Sequence, residues 1–224
     1  WVSIKILARV FKLYFRVLHS FKIKGLDKIP KSGCIFYLNH PGSLDPFILL
    51  AALPFPFCAF VSWGNGWFSD MYERVYGFSS RREMPREAMV EKMIRTILCR
   101  NRYFAIWPEG HPTCHGLVKQ GFSSFVRVYA TVNNTRDRIP FVPVTIRGSG
   151  GYVYDIKPHI RLISIYFHQP FFLDRQWIQK PEAGGKTPRE ITNYLMLHLA
   201  QLNGQKRFYE NDRLIRRRKR HYRY

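Results

Sequence analysis

The sequence predicts an α/β fold: a single domain with a mostly parallel central sheet flanked by helices, preceded by an N-terminal amphipathic helix. Three observations support this prediction. Short apolar segments of strand length alternate along the chain with longer segments of helical periodicity. The length of 224 residues suits one sizeable domain. A hydrophobic content of 46% is sufficient to build a buried core.

Residues 1–22 have the pattern of a helix that lies in a membrane interface. Its polar side chains recur every three or four residues, which places them on one stripe of a helix with about 3.6 residues per turn. They are Lys5, Arg9, Lys12, Arg16 and His19. Apolar residues fill the other faces, and no acidic residue precedes Asp27. An amphipathic helix packed on the domain would show the same periodicity. The missing acidic residues favour the membrane interpretation, because helices on soluble surfaces usually mix both signs of charge.

The remaining elements follow in order. The predicted strands are 21–26, 34–38, 57–63, 102–107, 141–148 and a strand or hairpin at 159–171. The predicted helices are 45–53, a loop and helix at 64–77, 85–101, 120–131 and 187–204. The last helix has a capping box from Thr187 to Glu190 and a terminal Gly204. We divide the chain into the N-terminal helix at 1–22, the main domain at 23–204 and a basic tail at 205–224.

The composition restricts the partners and the compartment. The formal net charge of +21 predicts attraction to anionic membrane or to nucleic acid. The four cysteines form no CxxC pair, which argues against a disulfide framework and favours a reducing compartment. No uncharged apolar segment is long enough for a conventional transmembrane helix, which needs about 18 residues. We therefore expect a protein associated with the cytoplasmic face of a membrane.

The segment NHPGSLDPF places His40 and Asp45 between two apolar elements. One interpretation is a helix start, with Asp45 as the N-cap and Pro46 at the first helical position. The other is a catalytic pair. Ligand sites of open α/β sheets lie beyond the carboxyl ends of strands, and a tight strand–turn–helix can bring the carboxylate back to the imidazole. The spacing alone is weak evidence, and one carboxylate could serve both roles.

Further polar segments follow other predicted elements. WPEG, from Trp107 to Gly110, ends a predicted strand and presents Glu109, and GFSSRRE holds Arg81 and Arg82. FVPV places Pro143 in an apolar strand. The segment HPTCH contains zinc-ligand residue types, but no second pair lies at ligand spacing, so we predict no metal site. The glycines of RGSGG predict a turn between strands more readily than a phosphate-binding loop.

The four segments that contain His40, Arg81, Glu109 and Pro143, in this chain order, resemble the glycerolipid acyltransferase family, the lysophosphatidic acid acyltransferase-like enzymes. The blocks of that family are N-H-x4-D, a loop with glycine and arginine, F-P-E-G-T-R and V-P-V. Here they read NHPGSLD, GFSSRRE, WPEGHPT and FVPV. The resemblance covers residues 21–150. The first and third blocks are the specific ones.

The resemblance implies a role for each matching residue. His40 would be the general base that takes a proton from an acceptor hydroxyl, and Asp45 would orient its ring. The acyl donor would be a thioester of coenzyme A or acyl carrier protein, with no metal and no resident cofactor. The residues implied to bind the polar head of a lysolipid acceptor are Arg81, Arg82, Glu109, Gly110 and Lys119. Those implied to shape the site and its acyl channel are Asn39 and Pro143.

One block departs from the family pattern. After Glu109-Gly110 the chain reads His-Pro-Thr instead of Thr-Arg, so the arginine usually linked to the acceptor phosphate is absent there. Either Lys119, Arg81 or Arg82 substitutes for it, or the acceptor is another lysophospholipid, an aminolipid or a glycolipid. Two alternatives to an enzyme remain: a catalytically inactive lipid-binding protein of this fold, and a basic nucleic-acid-binding module. No recognised nucleic-acid-binding signature is present, so we expect no nucleic-acid partner.

Overall fold

The computed structural model describes residues 2–59, 103–113, 116–133, 139–150, 162–178 and 184–208. The described strands are β1 (Ser20–Lys24), β2 (Cys34–Leu38), β3 (Cys58–Ala59), β4 (Tyr103–Ile106), β5 (Phe141–Arg147) and β6 (Leu162–Phe167). The described helices are α1 (Val2–Leu18), α2 (Asp45–Ala52), α3 (Ser124–Asn133), α4 (Arg175–Ile178) and α5 (Pro188–Leu202). The helices predicted at 64–77 and 85–101 lie outside the described residues, as does most of the strand predicted at 57–63.

The strands form one sheet in the order β1-β6-β5-β2-β4-β3. β2 lies inside the sheet and pairs in parallel with β4 and β5. β3 continues in parallel beyond β4, and β1 pairs in parallel with β6. Only the β5–β6 pairing, among the described strands, is antiparallel. The prediction of a mostly parallel sheet is therefore confirmed, and the carboxyl ends of β2, β4 and β5 meet at one edge.

Helices cover both faces of the sheet. β2 is buried along its whole length, since CIFYL offers an apolar side chain to each face in turn. Phe36 belongs to the core beneath α1 and α2, and Tyr37 belongs to the core beneath α3 and α5. The resulting layers are helix, sheet and helix. This burial fixes the position from which the residues after β2 emerge.

The first helix is shorter than predicted. It ends at Leu18, whereas the sequence pattern extended it to residue 22. The reason is tertiary: Ser20–Lys24 pairs with β6 as an edge strand, and this pairing overrides the helical periodicity. Phe15 is fully buried, and the Phe11 ring stacks on Phe47 of α2 at 4.4 Å between centroids. One side of α1 is thus part of the domain core.

The last helix forms as its signals predict. The Thr187 hydroxyl accepts the Glu190 N–H at 3.2 Å, and the Glu190 carboxylate accepts the Thr187 N–H at 2.7 Å. This confirms the capping box. None of the helices in the described ranges is long and apolar enough to cross a membrane.

Candidate active site

The structure brings His40 and Asp45 into direct contact. His40 lies two residues beyond β2, and the chain turns back so that the Asp45 N–H donates to the Gly42 carbonyl at 3.3 Å. His40 Nδ1 then lies 2.8 Å from Asp45 Oδ2. Because the carboxylate accepts, Nδ1 carries the proton of this contact, and in the neutral ring the lone pair lies on Nε2. The Asp45 side chain is fully buried and that of His40 is 14% exposed, so the pair is enclosed but reachable.

Asp45 is not the helix N-cap. The N-cap position is Leu44, and Asp45 is the first residue of α2, with Pro46 following it. No side-chain cap hydrogen bond is present at this end of the helix. The carboxylate instead turns towards the loop that precedes it. Of the two interpretations of Asp45, the helix N-cap is therefore wrong, and its hydrogen bonds serve the histidine and the loop.

Three donors hold the Asp45 carboxylate. Oδ2 accepts from His40 Nδ1 and from the Gly42 N–H at 2.9 Å, and Oδ1 accepts from the Ser149 hydroxyl at 2.5 Å. A carboxylate without contact to water requires such donors, since burial otherwise disfavours its charged form. The arrangement therefore supplies a hydrogen-bond donor to each oxygen of the buried carboxylate beside His40.

Ser149 is a site residue that sequence reasoning missed. It lies in RGSGG, whose glycines predict a turn between strands. The rule that drew attention to His40 also applies to Ser149, because both residues follow the carboxyl end of a buried strand. Since β5 neighbours β2 in the sheet, its exit lies beside the exit that carries His40.

Asn39 ties these two strand exits together. Its side-chain amide donates to the Ile146 carbonyl at 2.9 Å and accepts the Ile146 N–H at 2.7 Å. The side chain is almost completely buried. This two-point clamp joins the chain immediately before His40 to β5. The predicted contribution of Asn39 to an acyl channel stays a prediction.

Gly42 allows the two loops to approach closely. A Cβ atom placed on Gly42 would overlap the Ser149 carbonyl oxygen and would lie 2.8 Å from its carbonyl carbon. The glycine is thus required by the close approach of the two backbones. This contact brings the Ser149 hydroxyl within reach of Asp45.

The block from Glu109 to Thr113 holds the backbone of His40. Glu109 Oε1 accepts the His40 N–H at 3.2 Å, and the Thr113 N–H donates to the His40 carbonyl at 2.7 Å. Glu109 is 1% exposed, and this burial raises the pKa of its carboxyl well above the ordinary value, against the opposing effects of the His40 N–H and the Lys119 charge. The structure therefore gives Glu109 a positioning contact, whereas its implied contact with an acceptor stays a prediction.

The raised pKa of Glu109 predicts a pH dependence of stability. Because its pKa is raised, the carboxyl keeps its proton to a higher pH in the folded protein than in the unfolded chain, where it ionises above its ordinary value of 4.5. Unfolding then releases a proton, so this residue's contribution to stability falls as pH rises above that value. Glu109→Gln keeps an acceptor for the His40 N–H and cannot titrate. In urea unfolding at pH 5, 6 and 7, the free energy of unfolding of the variant should rise relative to that of wild type by up to about 1.4 kcal/mol per pH unit. Parallel stability curves for the two proteins would contradict this.

The other predicted site residues have different positions. Gly110 is exposed in the turn after β4, and Lys119 is partly buried near Glu109. Pro143 is buried inside β5. The register places it three residues below the level of His40, roughly 10 Å along the strand, so its implied role in a channel stays a prediction. Arg81 and Arg82 lie outside the described residues. No group of three metal-ligating side chains occurs within the described ranges.

Comparisons with known proteins identify the family and the fold. A family model described as Acyltransferase matches residues 20–147, a segment that contains His40, Asp45 and Glu109. The fold is similar to the crystal structure of the 1-acyl-sn-glycerophosphate (LPA) acyltransferase PlsC from Thermotoga maritima. That similarity has a TM-score of 0.64 at 16% sequence identity and covers 90% of this chain and 78% of the other. No curated protein sequence matches the chain. Because the family match spans more than half of its residues, the chain belongs to the acyltransferase family.

Proposed function

We propose that the chain transfers a fatty acyl group from a thioester donor to a hydroxyl of a lysophospholipid or related polar lipid, at a membrane surface, in phospholipid biosynthesis or remodelling. The observation that carries this proposal is the 2.8 Å contact between His40 Nδ1 and Asp45 Oδ2. It orients the imidazole and leaves Nε2 as a base, which is the arrangement that acyl transfer to an alcohol requires.

The reaction needs one proton carrier. His40 Nε2 takes the proton of the acceptor hydroxyl while its oxygen attacks the thioester carbonyl carbon. The tetrahedral intermediate collapses, the carbon–sulfur bond breaks, and the leaving thiolate of coenzyme A or acyl carrier protein takes the proton back from the imidazolium. Asp45 stabilises the imidazolium between these two steps. The balance closes without a metal, a redox partner or a covalent enzyme intermediate.

The exposed side of α1 supports the membrane location. Ile6, Val10, Leu13 and Val17 are 54%, 55%, 63% and 70% exposed, and their spacing puts them on one stripe of the helix. The basic stripe of the same helix lies next to them. Phe11 and Phe15, which pack on the domain, lie on the opposite side. An exposed apolar stripe flanked by cations suits insertion among anionic lipid headgroups.

The position of α1 connects the membrane to the active site. α1 packs on α2 through the Phe11–Phe47 contact, and α2 begins with Asp45. The apolar stripe and the pair of His40 and Asp45 therefore lie on neighbouring parts of the fold, the stripe on α1 and Asp45 at the start of α2. A lipid acceptor held in the bilayer surface could present its hydroxyl to His40 without leaving the membrane.

The acceptor is not recognised as the family pattern implies. Pro112 occupies the position of the family's arginine, and the next residue, Thr113, is engaged with the His40 backbone. We assign the polar head of the acceptor to Lys119, with Arg81 or Arg82 as the further cations. Trp107 adds a donor that phenylalanine would lack. Its ring lies 5.7 Å from that of His40, and its buried N–H has no hydrogen-bond partner among the described residues.

Acyl transfer in anionic lipid vesicles tests the proposal. Coenzyme A and acyl-carrier-protein thioesters would be offered with a panel of lysolipids that differ in headgroup. We expect wild type to acylate at least one acceptor. The double variant Val10→Glu/Leu13→Glu should lose most of this activity and its vesicle binding, because two charges would enter the apolar stripe. It should keep activity on acceptors dispersed in detergent, because these side chains lie outside the core.

The matched control is Leu197→Glu, an exposed apolar-to-acidic change on α5. It should bind vesicles as wild type does. A wild-type protein that acylates nothing in the panel would contradict the enzymatic proposal. If the control and the α1 variant lost vesicle activity equally, α1 would not be the part of the protein that contacts the membrane.

A further inference from the structure

Asp45 and Ser149 lie 104 residues apart in the chain, yet their side chains form the shortest hydrogen bond of the site. Ser149 Oγ is 2.5 Å from Asp45 Oδ1, and both residues are fully buried. Hydrogen bonds from a hydroxyl to a carboxylate are short when they are strong. Ser149 lies two residues beyond the segment that matches the family model.

The two oxygens of Asp45 have different surroundings. Oδ2 accepts from both the His40 ring and the Gly42 N–H. Within the described residues, Oδ1 has one hydrogen-bond donor, the Ser149 hydroxyl. The terminal torsion of an aspartate side chain is soft, so a carboxylate held on one side can rotate about its Cβ–Cγ bond. Rotation would move Oδ2 away from Nδ1, and the bond to Ser149 opposes it.

The turn that carries Ser149 is itself held in place. Gly148 adopts a φ of +83°, a conformation that favours glycine, and a Cβ atom there would overlap the Leu162 carbonyl oxygen. The Asn39 clamp fixes Ile146 just before this turn. Gly42 packs against the Ser149 backbone. The serine is therefore presented to Asp45 by a rigid support.

We propose that Ser149 is a positioning residue that locks the plane of the Asp45 carboxylate and thereby aligns His40 for proton transfer. This inference rests on the proposed function. Ser149 does not act as a nucleophile, because its hydroxyl is buried and donates its proton to Asp45. Its effect reaches the acceptor only through Asp45 and the His40 ring. Misplacement of a reacting group by about 1 Å can cost a hundredfold in rate, which sets the scale of the expected effect.

The test is a set of matched serine variants. Ser149→Ala should lower kcat by about 10- to 100-fold with little change in KM, because the base is misaligned while the acceptor contacts remain. Ser149→Thr keeps the hydroxyl and should recover much of the rate. Ser164→Ala removes another buried serine, on β6, and should keep wild-type kcat. In a double-mutant cycle, Ser149→Ala should cost little more once Asp45→Asn is present.

A second readout does not need activity. The Nδ1–H proton of His40 should give a slowly exchanging, downfield NMR signal in wild type. Ser149→Ala should shift or broaden this signal, and Ser164→Ala should not. An unchanged signal and an unchanged kcat in folded Ser149→Ala would overturn the proposal. If wild type transfers no acyl group but the signal responds as expected, the positioning role stands and the proposed function fails.

Discussion

Replacing His40 by alanine should lower the rate of acyl transfer by two to four orders of magnitude, the usual size of a general-base contribution. The substitution removes the imidazole and leaves both backbone contacts of residue 40, because Glu109 accepts its N–H and Thr113 donates to its carbonyl. The loop should therefore keep its shape. Steady-state rates on vesicles, together with thermal unfolding, measure the two effects separately.

His168 is a suitable control for this variant. It is a half-buried histidine that follows β6, a strand antiparallel to β5, and its Nε2 lies 2.9 Å from the Thr145 hydroxyl. Burial lowers its pKa to about 4, so it is neutral in the assay. His168→Ala should keep wild-type kcat with at most a modest loss of stability. Equal activity of His40→Ala and wild type would show that another group removes the proton.

The contact between His40 and Asp45 could be predicted because its signals are local. His40 and Asp45 lie five residues apart, and strand, turn and helix are each marked by the sequence between Cys34 and Ala52. A local pattern did not decide the direction of the Asp45 side chain. Helix-start statistics favour a contact with the backbone of α2, and the strand–turn–helix pattern favours His40, whereas the side chain contacts both the histidine and a distant serine. Propensity cannot weigh such tertiary donors.

The contacts between residues of distant strands could not be predicted. The partner of Asn39 is Ile146, 107 residues away, and that pairing depends on the order of strands in the sheet. A single sequence predicts that strands exist and gives little information about which strands are neighbours. The sequence that follows β5 therefore does not predict that this turn contacts the loop at Gly42. The turn RGSGG has an ordinary composition for a connection between strands.

The first helix shows a different limit. Its periodicity separates a basic stripe from apolar faces, but it does not distinguish an apolar face that meets the protein from one that meets lipid. In the structure one apolar face meets the protein and another does not: Phe15 is buried in the core, while Leu13 and Val17 are exposed. The length of the helix depends on β1, since an edge pairing with β6 ends it at Leu18.

Gly42→Ala should disable the enzyme although it adds a single methyl group at a position with ordinary φ. The new Cβ would overlap the Ser149 carbonyl oxygen and crowd its carbonyl carbon and Cβ at 2.8 and 3.2 Å. Because the obstacle is backbone, one loop must move away. Such a movement would weaken both the Gly42 N–H and the Ser149 hydroxyl contacts with Asp45. We expect at least about a hundredfold loss of kcat and roughly 1–3 kcal/mol of lost stability.

A glycine elsewhere separates this steric effect from the general cost of replacing glycine. Gly204 follows α5 at a φ of +83°, and a Cβ atom added there would have nothing within 4 Å. Gly204→Ala should therefore cost about 1 kcal/mol through backbone strain and leave kcat unchanged. We expect different results for the two variants. Gly42→Ala should lose more activity than its loss of stability explains, and Gly204→Ala should lose stability alone. If Gly42→Ala folds and turns over as wild type does, the loops are further apart than the structure places them, and Ser149 cannot reach Asp45.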